Sequence, residues 1–358
     1  YEQAPGLNLL TAMGPDKSLT LKVVDMTGTT VHEWAVDWFD IWPDANHVPA
    51  TSMPQSRPGT HIHGTLLLPN GDVIFNFEKL GTVRMGVCGE VQWKLPYQTH
   101  HSIYLDENQI LWLSGLVMHD QPLADYPMHT PPIREPTVVK VSLDGELLDS
   151  YSVFDLLVEN DQRALLHLRS ATLSNKVKGD SLHLNDVETF PTHMEEGVFR
   201  HGDVMLSLRN INTLLVFDPV TKAIRYMKVG GFVRQHDPDF IDGNTIMLFD
   251  NNNIGPADFG QQSRILLLNA RSDEITVLYE GDEKFPFYTP IMGKQHILNN
   301  GHMIITDSVN GRGFETNASG EVIWEYINIV DDGVVGIVEE LERIPASYRQ
   351  VFSEAACQ

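Results

Sequence analysis

Six times along this chain an apolar strand runs into a turn and returns as a second strand ending on an aromatic or apolar residue. The copies occupy residues 21–34, 84–93, 138–151, 214–226, 265–279 and 313–324, and each reads as a β-hairpin. Between them lies a second strand–turn–strand unit that opens on polar residues, often His. It covers residues 60–75, 99–112, 235–249 and 295–305, with a longer copy over 183–208 that carries an inserted loop. Two successive hairpins make a four-stranded sheet, and six such sheets around an axis make a six-bladed β-propeller. Two unrelated β domains would not explain a repeat count that closes on itself. The expected fold is therefore all-β, a single propeller domain over residues 1–358 with a short C-terminal tail from about 345. Residues 7–13 and 334–341 are expected to pair and close the ring, which leaves no open edge. Loop insertions are expected at 118–135 and 160–179, and short helices at 154–159 and 346–352. Trp34, Trp93, Tyr151 and Trp324 recur at the ends of the hairpins and read as packing between blades.

Charge narrows the partners. Lys and Arg number 25 against 48 Asp and Glu, a net charge of −23. Such a surface repels nucleic acid and anionic membrane faces. An anionic small molecule would need a local cluster of Arg or His. No apolar run is long enough to span a bilayer. Cys88 and Cys357 are too few for a disulfide framework or a cysteine zinc site. Whether they pair stays open, Cys357 is expected to be mobile, and the cysteines do not fix the compartment. The first residue, Tyr1, fits a processed secreted chain and a trimmed one equally.

The chemistry is expected where the innermost strands begin, at one mouth of the channel. Those positions carry His61 and His63, then His100 and His101, then His183, then His236, each set on a different blade. A lone His there would be a satisfied core residue, whereas a ring contributed by four blades points to a site. Two chemistries fit. A divalent metal in the channel could be held by His63, His101, His183 and His236, with Asp186, Glu188 and Asp237 as further ligands or their partners. Alternatively, a nucleophilic His could carry a group covalently while other His and Arg residues hold an oxyanion. No Gly-rich phosphate loop, Gly-x-Ser-x-Gly elbow or His-Glu-x-x-His is present. A propeller that only binds a partner protein is the non-enzymatic alternative.

Three segments then matter in order: His183-Leu-Asn-Asp-Val, Ser207-Leu-Arg209-Asn, and Arg234-Gln-His236-Asp with the strand ending Phe249-Asp250-Asn251-Asn252. With the opening Gly6-Leu-Asn-Leu-Leu and the hairpin ending His32-Glu-Trp34, they resemble the bacterial arylsulfate sulfotransferase family. The resemblance implies sulfuryl transfer from an aryl sulfate to a phenol without a nucleotide donor or any cofactor. It implies that His236 attacks sulfur, that Arg209 clamps the sulfate oxygens, and that His183 and His101 support the transfer. His100, His63, His61, Asp237 and Thr289 would line the substrate. It also implies a small aromatic substrate and a periplasmic or secreted location, alongside the absence of nucleic acid and of a membrane span read above from charge and hydropathy. The aromatics Trp38, Trp42, Tyr126, Phe285, Phe287 and Tyr288 sit in loops that could wall an aryl pocket or simply anchor those loops. Asp237 could orient His236 or raise its pKa. Arg209 follows an apolar strand whose alternation puts Met205, Ser207 and Arg209 on one side; the alternative is an ion pair between blades. The chain departs from the family in lacking room for an extra N-terminal β domain. It also lacks a cysteine pair near His236 and has His61 and His63 in surplus.

Overall fold

The computed structural model describes residues 3–171, 174–255, 261–355 and 357. Six sheets of four main strands surround one axis as a β-propeller. From the axis outward, blade two is Ile62–Leu67, Val73–Phe77, Gly81–Met85 and Val91–Leu95, and all its neighbours are antiparallel. Blades three to six start at Thr99–Leu105, Leu184–Thr189, His236–Asp242 and Lys294–Ile297. Burial follows the same gradient. The second strand of blade two is buried throughout, while Val91–Leu95 at its outer edge is mostly exposed.

Blade one is made from both ends of the chain, as expected, but with a different closing strand. Val338–Ile344 is innermost and pairs with Leu7–Met13, Leu7 opposite Ile344 and Leu10 opposite Leu341. The expected 334–341 is displaced because Val334–Val335 turns back on Ile329–Asp331 as a small separate ribbon. The true strand carries Glu339, Glu340 and Glu342. These face away from any apolar core, so the segment lacks the hydrophobic run that marks the other strands.

The insertions are also more regular than loops. Half of residues 118–135 prolong two strands of blade three, Ile110–His119 and His129–Ser142. Val177–Gly179 adds a parallel strand to the second of these. The helices lie at Val153–Glu159 and Tyr348–Glu354; Ser152 caps the first by accepting from the Asp155 N–H. The hairpin tryptophans do stitch blades together. Indole N–H groups of Trp34, Trp93 and Trp324 donate to the carbonyls of Gly86, Leu143 and Met26 on the next blade at 3.0–3.1 Å.

Cys357 is not free. It forms a disulfide with Cys88, 269 residues away, in the outer turn of blade two. Phe352 of the last helix stacks on His32 with centroids 4.5 Å apart and is buried against Trp34. The bond thus clamps the segment that follows the closing strand. Replacing both cysteines by Ser, or adding reductant, should lower the unfolding free energy by about 2–4 kcal/mol. Denaturant titration with and without reductant measures this. An unchanged midpoint would mean that the Phe352 packing alone secures the tail.

Candidate active site

The innermost strands do not begin regularly. In blade two the pairing jumps from Ile62–Phe77 to Thr65–Phe75, and in blade three from His100–Ser114 to Ile103–Leu113. Blades four and five jump at Leu184/Asp186 and His236/Asp239. Bulges of this kind unpair one or two residues and re-aim their side chains. His101 and His183 both sit at φ 58°, and Asp237 at φ 46°, in the left-handed region that non-glycine residues seldom occupy. Gly64, at φ 92°, meets the carbonyl of His101 so closely that a Cβ would lie 1.8 Å from its oxygen. Four adjacent blades are therefore pinched together where their histidines emerge.

The imidazoles converge. Ring centroids of His63 and His101 are 3.9 Å apart, those of His101 and His183 are 5.0 Å apart, and those of His101 and His236 are 6.2 Å apart. His61 lies 5.4 Å from His63, and His100 lies 4.9 Å from His101. His183 Nδ1 donates to Asp180 Oδ2 at 2.5 Å, which leaves its Nε2 as an acceptor, 3.4 Å from His101 Nε2. His101 Nε2 must then carry a proton, and its Nδ1 accepts from His100 Nδ1 at 2.7 Å. His63 Nδ1 donates to Glu78 Oε2 at 3.0 Å.

His236 is set differently. Its Nδ1 lies 2.6 Å from Asn251 Oδ1 and 3.0 Å from the Arg234 carbonyl. The Asn251 amide nitrogen donates to the carbonyls of Thr289 and Met292 at 2.8 and 2.7 Å, so its oxygen has to face His236. Both neighbours of Nδ1 are acceptors, which puts the proton there and leaves a lone pair on Nε2. That Nε2 is buried without a partner among the described residues. Burial, then the nearby Arg209 charge, hold the His236 pKa well below 6.5, partly offset by the Asn251 hydrogen bond. Burial lowers His61 to about 4 and His100 to about 3, and it also lowers His101 and His183.

Arg209 follows Val204–Leu208, the second strand from the axis in blade four, and its N–H donates to the His183 carbonyl at 3.0 Å. It has no ion pair within 4.0 Å among the described residues, and its Nε is buried and unpaired. Burial first, then the charges of Arg234 and Arg169, pull its pKa to about 10 against the opposing pull of Asp180. The acidic chain thus gathers cations at the spot where an anion would need them. The alternative of an ion pair between blades does not apply.

Below the ring the channel is acidic. A cavity of about 340 Å³ is lined by Asp186, Glu188, Asp237, Asp239, Glu340 and Glu342 with one cation, Lys294. Burial pushes Asp186, Glu188 and Asp239 well up and takes Glu342 to about 7. Asp237, raised to about 6 by burial, accepts from the Gln295 N–H at 2.9 Å and lies 3.8 Å from Lys294. It points down the channel, so Asn251, and not Asp237, orients His236. Free space between ring and channel is only about 20 Å³. A cleft of about 260 Å³ lies by Glu78 and Lys79, walled by Leu80, Leu116 and Met118.

Thr289 stands off the ring: its hydroxyl donates to the Ile291 carbonyl and accepts from the Val309 N–H, and it acts on His236 only through Asn251. Trp38, Trp42, Tyr126 and Phe287 are core residues, and none of the six loop aromatics borders the ring, the cleft or the channel. Loop anchoring is what they do. Among the described residues two groups have metal-competent atoms mutually within 4.8 Å, His61–His63–Glu78 and Glu78–His100–His101. The set His63, His101, His183 and His236 is not one of them. Glu78, Asp180 and Asn251 escaped the sequence reading. Asn251 lies in the run Phe249-Asp250-Asn251-Asn252, but only blade geometry reveals its partner 15 residues earlier.

A family model described as Arylsulfotransferase (ASST) matches residues 64–329. No curated protein matches the chain. Among solved structures, a protein of unknown function from Bacteroides caccae is similar over 94% of this chain and 98% of its own, with 11% identity and a TM-score of 0.57. A chain of a nidogen/laminin complex is similar over 94% of this chain and 97% of its own, with 10% identity and a TM-score of 0.50. At these identities the structural likenesses concern the fold alone.

Proposed function

This chain belongs to the arylsulfotransferase family, and from that footing we propose that it moves a sulfuryl group from an aryl sulfate to a phenol through a sulfated His236. The observation that carries this reading is the buried, unpartnered Nε2 of His236, with its lone pair held free by the Asn251 bond to Nδ1. That lone pair attacks sulfur, the S–O bond to the aryl group breaks, and its electron pair leaves with the phenolate. Negative charge spreads over the three remaining oxygens, as in phosphoryl transfer. Arg209, with an unsatisfied Nε, supplies a guanidinium fork for two of them. His101 Nε2–H donates a hydrogen bond to the departing oxygen, which leaves as the phenolate, and His183 Nε2, an acceptor, takes the proton of the incoming phenol and passes it on to water. The acceptor oxygen then displaces His236 from sulfur. The apolar wall of the cleft beside Glu78 would seat the aryl ring. The Cys88–Cys357 bond supports an extracytoplasmic, oxidising location.

Kinetics with a chromogenic aryl sulfate and a phenol acceptor test the two-step route. Parallel double-reciprocal lines are expected, since the first product leaves before the acceptor reacts. Intersecting lines, which require both substrates bound at once, would remove the covalent intermediate.

The pH profile adds a second check. The folded His236 pKa is lowered, so its lone pair is available above that value and is lost only as pH falls through it. An ordinary imidazole would be about nine-tenths protonated at pH 5.5. We expect the acid limb of kcat/KM to fall well below 6.5. An acid limb centred on 6.5 would show that the nucleophile is an ordinary exposed His.

A further inference from the structure

Sulfuryl transfer leaves His61 and His63 without a task. They flank Ile62 at the start of the innermost strand of blade two, ring centroids 5.4 Å apart. Glu78 follows the neighbouring strand directly, and its N–H donates to the His61 carbonyl at 3.0 Å, which locks the two segments together. One ligand atom from each of His61, His63 and Glu78 lies within 4.8 Å of the others. Two imidazoles and one carboxylate form a donor set suited to borderline first-row divalent ions. Lys79 holds Glu78 Oε1 at 2.8 Å, so Oε2 is the oxygen turned toward the histidines.

A second observation comes from another blade. Glu339, on the closing strand of blade one, is 5% exposed, and its Oε2 has no partner among the described residues. Leaving a buried carboxylate oxygen unmatched is costly. Glu339 lines the cavity of about 130 Å³ that holds His61, and also the small space that holds His63. It therefore faces the same locus from the opposite side. The larger cavity, bordered by Lys17, Pro58 and Thr60, gives an ion a way in.

We propose that His61, His63 and Glu78 bind one divalent cation of the Zn2+ or Co2+ kind, with Glu339 facing it from the closing strand. The other candidate group, Glu78 with His100 and His101, is the poorer choice. There the two Nδ1 atoms are tied to each other at 2.7 Å, imidazole to imidazole, whereas in the proposed group the tie is between His63 Nδ1 and the Glu78 carboxylate at 3.0 Å, whose shared proton a bound cation would displace. The proposed ion lies outside the His236–Arg209 set and links blade two to the strand that closes the ring, so it serves as a cross-brace.

The test is titration of the purified, metal-stripped protein with Co2+, followed by visible absorption, and with Zn2+, followed by metal analysis after dialysis. One equivalent should bind, with a rise in melting temperature, because the ion binds the folded state only. His61→Ala, Glu78→Gln and Glu339→Gln should each weaken binding by at least about tenfold, as loss of a metal-supporting group commonly does. His61 is partly exposed, so His61→Ala should fold, as far-UV circular dichroism would check; it carries the test even if Glu78→Gln does not fold. His236→Asn should bind metal like the unaltered protein. The proposal is overturned by no stoichiometric uptake, by uptake that survives His61→Ala, or by uptake lost in His183→Asn and not in His61→Ala. None of these readouts uses transfer activity, so failure here is separable from failure of the sulfotransferase reading.

Discussion

His236→Ala should leave a folded protein whose turnover of a chromogenic aryl sulfate has fallen by about 10⁵-fold or more, because losing the nucleophile removes the whole covalent path. His236→Asn should fare no better, since an amide cannot carry the sulfuryl group. In the unaltered protein, donor without acceptor should leave the peptide containing His236 heavier by one SO3, a signal that mass spectrometry detects and that both variants should lack. Asn251→Leu separates positioning from chemistry. His236 remains, but nothing except the Arg234 carbonyl then favours the proton on Nδ1. Its kcat should fall by about 10²-fold or more while KM changes little, as expected when a reacting group is misplaced or in the wrong tautomer. Full activity in His236→Ala would end the assignment. A His236 that served only as a core residue would lower the melting temperature and leave the rate per folded molecule unchanged.

Arg209→Ala should cost about 10²–10³-fold in kcat, the usual loss when a donor aimed at developing negative charge is removed. Arg209→Lys should recover only part of it, because an ammonium keeps the charge but not the two-pronged geometry. A second readout distinguishes this role from mere packing. The Arg209 charge is one cause of the low His236 pKa. Removing it should move the acid limb of kcat/KM toward higher pH, and Arg209→Lys should keep that limb near its original position. A loss of rate in both variants with no movement of the limb would mean that Arg209 does not face His236.

The blade count, the use of both chain ends in one blade and the ring of histidines were all legible from residue order. Each is written in local pattern: a strand, a turn, and a polar residue ahead of the next strand. What stayed hidden depends on contacts between blades. The closing strand was misplaced because Glu340 and Glu342 face the channel and Glu339 the space beside His61, and an acidic wall strand does not look like a core strand. Asp237 stands beside His236 in the chain but points away from it, since the bulge at φ 46° sends it toward Gln295 and Lys294. Asn251, which does hold His236, gives no signal of its own. The loop aromatics look alike in sequence whether they wall a pocket or fill a core. Only burial separates them, and it puts Trp38 and Phe287 fully inside.

The closing strand also sets an order of assembly. Each of blades two to six is built from one continuous stretch of chain, whereas blade one waits for Val338–Ile344, the last strand in the sequence. Until then Leu7–Met13 presents a raw sheet edge and the channel lacks one of its six walls. A half-made molecule thus has neither a closed channel nor Glu340 beside Lys294, whose ion pair at 2.8 Å spans the gap. A chain that stops short of Val338 therefore keeps an unpaired edge on Leu7–Met13, open to pairing with a strand of another molecule.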